Sequence, residues 1–366
     1  MSIATARLRL GAGDVPLMSF HQDSRMQAYR LQAGTGPAGL HRVELPQQAL
    51  GHAEVRIEMR AASLNARDLA FARGQIGDAP DRAVVPLSDG VGTIVEVGAA
   101  VTRFAVGERV IPAFWPRWID GEISPAKAGI SFGVHLDGAL AEFMVAPEDA
   151  LARAPQSLAD AQAASLACAG VTAWNALFVE GGLKPGSSVL LLGTGSVSIW
   201  ALQLAVAAGL HPIITSSSDA KLARAGELGA RGLVNYRTRP EWQDEVLALT
   251  QGRGVDLVLD VGGQDTLGRS LSAVRFGGRV VVIGGLSGWG EVRLSPGAFV
   301  GGTKALAGIM VGSRSMTEDL VGFVDEKGIV PVIDSEFGFA EARQAYERLA
   351  SGEAFGKVAV RIEGEA

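Results

Sequence analysis

Two glycines with one residue between them, set between an aliphatic run and a helix, form a place for an anion. The stretch is VLLLGTGSVSIWALQLAVAAG, residues 189–209. Gly193 permits a tight turn after the strand, and Gly195 lets the backbone approach a pyrophosphate. The helix that opens at Ser196 points its free N–H groups and positive end at that pyrophosphate. Thr194 and Val197 complete the turn, and Ser198 stands where a third glycine is usual, small enough for helix–strand packing. A bare G-x-G turn says little. This one heads a repeating strand–helix series, which is the context a dinucleotide site requires. About twenty residues after the first glycine, an NAD site carries an Asp or Glu for the ribose 2′-hydroxyl. Here the chain reads ITSSSDAK (214–221), with Ser216 at the strand end, then Ser217, Ser218 and Lys221. Hydroxyls and an ammonium suit a 2′-phosphate, which a carboxylate would repel. Asp219 comes too late and reads as the start of a helix. The expected cofactor is therefore NADPH, the alternative being that the serines only cap that helix.

The rest of the composition bounds the answer. The chain has 366 residues, which suits two domains, and is 48% hydrophobic and 20% charged with a formal net charge of -6. That is an ordinary globular composition, and no basic block invites nucleic acid. Cys168 is the only cysteine, so an intramolecular disulfide and a four-cysteine zinc site are excluded. It reads as a small buried residue rather than a functional thiol. No run of 18 or more apolar residues appears, so no membrane span is expected. Residues 1–25 lack the apolar core of a signal peptide and read as an extension, either loosely ordered or with a targeting or partner role. A cytoplasmic protein acting on a small molecule is expected.

The elements that must position the turn follow one another along the chain. A first strand opens at Met26. EVRIEMRAASL (54–64) and GVGTIVEVGAAVTRFAVGERVIPAF (90–114) show β-branched runs punctuated by glycine, so 26–150 reads as a β-rich domain. Near 151 the character changes. SLADAQAASLACAGVTAWNALFVEG (157–181) reads as one helix capped at Ser157. Apolar strands at 188–193, 212–215, 232–236, 255–263 and 277–285 then alternate with helices. The expected class is α/β: a doubly wound parallel Rossmann sheet over 151–300, with 301–366 returning to the first domain.

These motifs in combination are similar to the medium-chain dehydrogenase/reductase superfamily, on its zinc-independent, quinone-oxidoreductase-like side. The resemblance covers residues 26–362. It is carried by ASLNARDL (62–69), SDGVGTIVEVG (88–98), ACAGVTAWNAL (167–177), GTGSVS (193–198), AGELGARGLVNY (225–236) and FGKVAV (355–360). It implies a GroES-like catalytic domain split around the Rossmann domain, an active site in the cleft between them, and commonly a homodimer. In the zinc alcohol dehydrogenases of this family a cysteine stands at the place of Asn65 and a His-Glu pair at the place of Ser88-Asp89. Only Cys168 matches a usual ligand position, and one thiolate cannot fix Zn²⁺. No metal is expected.

Without a Lewis acid, oxidising an unactivated alcohol is difficult, whereas hydride delivery to an enone or quinone only needs donors for the developing oxyanion. The resemblance places Asn65 near the nicotinamide as the first candidate donor; as a plain residue it could instead be a turn amide bonding the backbone. Asp89 and Arg67 are candidates as an ion pair that orients the pocket, or as a relay through Asp89; PLSDG could also be a simple turn. No tyrosine lies in 60–90 to act as an acid, so protonation from solvent is expected. By motif, Thr172 faces the cofactor at the domain junction, and Tyr236 lies by the 2′-phosphate or else packs in the core. Ile283, Gly284 and Leu286 lie near the nicotinamide ribose and amide. Arg314 and Lys357 either reach the cofactor or are ordinary surface cations. Trp115, Trp118 and Phe132 either line a wide apolar pocket or pack their own loop down, and His135 reads as polar surface. An alcohol or aldehyde oxidoreductase working without zinc, and a non-catalytic dinucleotide-binding protein, remain the alternative functions.

Overall fold

The computed structural model describes residues 25–362. Apart from Arg25, the N-terminal extension lies outside the described residues. The chain builds two sheets and a small ribbon. The catalytic sheet has 7 strands. Its order is Ile333–Gly338, Lys357–Arg361, Glu54–Ser63, Asp89–Val97, Arg109–Pro112 and Leu151–Arg153, with Phe143–Pro147 also pairing along Glu54–Ser63. Arg25–Arg30 and His41–Pro46 form a two-stranded antiparallel ribbon against it. Only Ile333–Gly338 and Lys357–Arg361 pair in parallel, because the helix Ala342–Ala350 carries the chain back between them.

The second sheet has 6 parallel strands in the order Gly232–Asn235, His211–Ser216, Ser188–Leu191, Val255–Asp260, Val274–Val282 and Ala305–Gly308. Ser188–Leu191 is buried along its whole length, as strands covered by helices on both faces must be. The helix Ser196–Ala207 shows no polar stripe because it is buried on most sides, with Ile199, Trp200, Leu202 and Leu204 in the core. The chain leaves Ser188–Leu191 in one direction and enters Val255–Asp260 from the other side. The switch point therefore opens at the carboxyl ends of these strands, where Gly193–Gly195 lies.

Three expectations are corrected. Ala305–Gly308 is the sixth strand of the parallel sheet, and Leu320 and Val324 of the helix Arg314–Lys327 join the core around Ser196–Ala207. The Rossmann unit therefore extends past 300, and only the segment from Ile333 onward returns. The short glycine-bearing sequence ALAG lacks the aliphatic run that marks the other strands. The long helix starts at Asp160, not at a Ser157 cap. Gln162 Oε1 accepts the Ala159 N–H at 3.0 Å, and the Ser157 hydroxyl donates instead to Asp325 at 2.6 Å. That helix is also broken into π-turns at Leu166–Gly170 and Asn175–Val179. Asp160–Val179 is long and apolar enough to cross a membrane by length and composition, but 72% of its apolar window is buried inside the fold.

Candidate active site

Three strand ends meet at one point. In the register of the catalytic sheet Ser63 lies opposite Asp89 on one side and Ala359 on the other. This brings Asp89, which opens its strand, and Lys357, which opens the returning strand, to the end of Glu54–Ser63. The chain then turns through Leu64 and Asn65 into the helix Ala66–Ala72. The Asn65 N–H donates to Asp68 Oδ2 at 2.7 Å, so Asp68 does the local capping and leaves the Asn65 amide free. Lys357 Nζ donates to Asn65 Oδ1 at 2.9 Å and to Asp89 Oδ2 at 3.0 Å. The one proton of the Ser63 hydroxyl is shared between Ala164 O at 3.1 Å and Asp89 Oδ2 at 3.3 Å, and the Ser88 hydroxyl donates to Oδ1 at 2.9 Å. Lys357 is 1% exposed and Asp89 0%. With its oxygen held by an ammonium, the Asn65 amide presents Nδ2, which is buried and has no partner. A buried donor without an acceptor is costly and needs an explanation.

Two expectations fall here. The Arg67–Asp89 ion pair does not form, because Lys357 occupies that side of Asp89. Arg67 swings the other way, its guanidinium 4.7 Å above the Phe114 ring and bonded to the Ser131 hydroxyl. Lys357 is not a surface cation but half of this buried pair, its ammonium taken up by Asn65 and Asp89. Burial lowers the Arg67 pKa, and burial pushes the Asp68 carboxyl up to about 7, with the Asp89 charge adding to it. Burial likewise raises the Cys168 thiol, and Asp89 raises it further. Asp68 escaped sequence reasoning, although an acid three residues after Asn65 is a readable capping signal. Lys357 was noticed but not its partner, since 268 residues separate it from Asp89.

The donors at this point can be weighed against a metal by their chemistry. Asn65 offers a weak amide oxygen already bonded to Lys357, Ser88 is a hydroxyl, and Asp89 faces an ammonium. Among the described residues no group of three or more His, Cys, Asp or Glu side chains is placed to hold a metal ion. These residues do not fit zinc, which takes three protein ligands of N, S or carboxylate type in a catalytic site.

At the end of Ser188–Leu191, Gly193 adopts φ 75°, and a Cβ built on Gly193 or Gly195 would meet no atom within 4 Å, so the turn presents an open face. Thr215 Oγ1 accepts the Gly193 N–H at 3.1 Å, and Thr194 Oγ1 lies 3.4 Å from Ser216 Oγ. Ser216 is thus buried beneath the turn, 2% exposed, while Ser217 is half-buried at the rim. Tyr236 is 40% exposed and its N–H donates to Ser216 O, so it stands beside the strand end rather than in the core. Thr172 is buried in Val171–Trp174. Ile283 and Gly284 follow the fifth strand half-buried, and Leu286 is exposed.

Two cofactor candidates point elsewhere. Lys221 Nζ donates to Gly352 O at 3.0 Å and Ala354 O at 3.2 Å, fastening the returning loop whose carbonyls it reaches. Arg314 opens a helix beneath Trp118 and reaches Asp149 and Glu318, so carboxylates outside the cleft claim it. The aromatic loop is packed down: Phe114, Trp115 and Trp118 are buried together, and Trp115 Nε1 donates to Met310 O at 3.1 Å. Phe132 belongs to the core of the catalytic domain. His135 is tied to Ser131 and Asp78.

Residues 51–156 match the alcohol dehydrogenase GroES-like domain family, and 196–326 match the zinc-binding dehydrogenase family. A zinc-type alcohol dehydrogenase-like protein of Schizosaccharomyces pombe is 39% identical over 87% of this chain and 94% of its own length. A solved structure from Sinorhizobium meliloti 1021, described as an alcohol dehydrogenase, shares 40% identity over 93% of this chain and 99% of that one, with a TM-score of 0.85. A structure of an NAD-dependent alcohol dehydrogenase shares 32% identity over 92% and 100%, with a TM-score of 0.84. The chain belongs to the medium-chain dehydrogenase/reductase family, and is an oxidoreductase of that type.

Proposed function

We propose that this protein is a metal-free, NADPH-dependent reductase that delivers hydride to a conjugated carbonyl or a quinone. The observation that carries the reading is the buried, partnerless Asn65 Nδ2, held in orientation by the Lys357–Asp89 pair. When bound, the dinucleotide supplies the hydride. The open glycine turn receives its pyrophosphate, and Ser217 and Tyr236 flank the 2′-phosphate, with no carboxylate at the end of His211–Ser216 to repel it. As electrons move onto the substrate oxygen, Asn65 Nδ2 donates a hydrogen bond to it. Lys357 polarises that amide from behind, because a donor whose carbonyl oxygen is held by an ammonium carries a more positive N–H. The proton comes from solvent.

Nicotinamide absorbance with quinones, enones and simple aldehydes, using NADPH and NADH with and without a chelator, tests this. Chelator-insensitive consumption of NADPH by quinones or enones is expected. Turnover of aldehydes only, or loss of activity with the chelator, refutes it, and binding without turnover points to a non-catalytic protein. Asn65→Ala is expected to lower kcat by about 10²–10³ with little change in NADPH affinity, the range for one oxyanion donor.

The same proposal includes a homodimer. Ala305–Gly308 has one edge without a partner strand among the described residues, and Leu306, Met310, Val300 and Trp289 near it are exposed. Sedimentation of wild type and Leu306→Lys reads this: a dimer that the lysine converts to monomer is expected, and a wild-type monomer refutes it.

A further inference from the structure

Arg67 is the second cation at the head of the site and, unlike Lys357, it has no counter-ion. Among the described residues it makes no ion pair. Its Nη1 is buried and without any partner. Its position is nonetheless fixed. The guanidinium carbon lies 4.7 Å from the centroid of the Phe114 ring, and Nη2 donates to the hydroxyl of fully buried Ser131. The Ser131 N–H points at His135 Nδ1 at 3.2 Å, which makes that nitrogen an acceptor, and His135 Nε2 reaches Asp78 Oδ2 at 3.2 Å. Arg67 is half-buried as a residue, but its Nη1 is shielded from solvent, and a shielded donor without an acceptor is costly. A rigidly held, unpaired guanidinium two residues from the oxyanion donor has the character of a receptor.

We infer that Arg67 receives a carboxylate carried by the substrate, beside the carbonyl that Asn65 Nδ2 holds. The inference rests on the reading of Asn65 as the oxyanion donor. The size and charge of the anion follow from the surroundings. One N–H edge is free, which matches one planar carboxylate. Asp78 and Asp89 already lie in the field of Arg67, so a phosphate of about −1.5 to −2 charge would be repelled where a single charge is neutralised. Cys168 lies in the field of both Lys357 and Arg67, so the guanidinium and the ammonium that holds Asn65 Oδ1 stand around one side chain. In the reaction the carboxylate is a handle only. Hydride from NADPH adds to one alkene carbon, a solvent proton adds to the other, and NADP⁺ is released with the carboxylate unchanged.

The test uses the full-length enzyme with 4-oxo-2-pentenoate, its methyl ester, and the saturated acid 4-oxopentanoate. Wild type is expected to prefer the acid to the ester on the order of 30-fold in kcat/KM, the scale of one hydrogen bond to a charged group. Arg67→Met is expected to erase the preference, and Arg67→Lys, which keeps charge and packing but loses the planar fork, to fall between. Equal efficiency with acid and ester in wild type overturns the carboxylate subsite while leaving the enone reading intact. If no quinone or enone consumes a nicotinamide cofactor, that reading fails, and calorimetry with 4-oxopentanoate still decides the subsite. Binding that is lost in Arg67→Met supports it. Absence of binding, or binding that Arg67→Met leaves unchanged, overturns it.

Discussion

Lys357→Met removes one ammonium and retains most of the side-chain volume. In the native protein that ammonium lies 3.0 Å from Asp89 Oδ2 and 2.9 Å from Asn65 Oδ1. The variant leaves the Asp89 carboxylate fully shielded, with only the Ser63 and Ser88 hydroxyls as partners. Breaking a buried ion pair by removing one partner costs about 3–5 kcal/mol. The two serines place this case near the lower end, still a large part of a total stability of about 5–15 kcal/mol. Asp89→Asn leaves the mirror defect, an ammonium without a counter-charge. Lys357→Met/Asp89→Asn removes both charges and is expected to recover at least about 2 kcal/mol relative to the sum of the single variants, the signature of direct coupling. Urea unfolding of the four proteins, followed by tryptophan fluorescence, measures the cycle. Lys357→Met is also expected to lower kcat, since nothing then prevents the Asn65 amide from rotating. A variant within about 0.5 kcal/mol of wild type, with additive double-variant energies, would refute the account of how this site is held.

Ser217→Asp sets a carboxylate at the rim where the 2′-phosphate is proposed to lie. Affinity for NADPH is expected to fall on the order of 10–100-fold while affinity for NADH holds or rises, read by fluorescence titration with each dinucleotide; parallel losses would refute that placement. Asp68 bears on pH. Burial raises its folded-state pKa to about 7, so the folded protein keeps a proton that the unfolded chain releases above about pH 4. The stability this contributes is complete below about pH 4 and is lost as pH rises through about 7, on the order of 3 kcal/mol between about pH 5 and pH 8.5. Asp68→Asn should be flatter across that window in denaturant unfolding, and matching pH profiles would overturn the assignment.

The strand–glycine turn–helix unit was legible because its signal is local. Strand, glycine turn and helix are contiguous, and Ser216 and Ser217 follow at fixed spacing. The substrate half was legible only in type. Asn65, Arg67, Asp89 and Lys357 were all singled out, but which cation meets which anion depends on strand register across long sequence separations. Lys357 reaches Asp89 because their two strands flank Glu54–Ser63 and both open at its end, and pairing order cannot be read from composition. The two tryptophans were ambiguous for a related reason, since an aromatic loop reads alike whether it lines a cavity or seals one. The last Rossmann strand was missed because ALAG carries little hydrophobic signal at an exposed edge. Lys221 and Arg314 misled because long cations take the nearest carbonyls and carboxylates, which here come from distant segments.

Gly356 joins the two halves. It bridges to Gly195, accepts a bond from the Ser196 hydroxyl at 3.1 Å and donates its N–H to Thr194 O at 3.3 Å. A Cβ there would come within 2.5 Å of Val332 O, and its φ is 91°, so no larger residue fits without strain. One peptide bond separates this glycine from Lys357. Under the proposed function, a dinucleotide that stiffens the glycine turn would also stiffen the strap carrying Lys357, which holds the Asn65 amide. Ordered addition, nucleotide before acceptor, is then the expected kinetics, and product-inhibition patterns with the oxidised nucleotide check it.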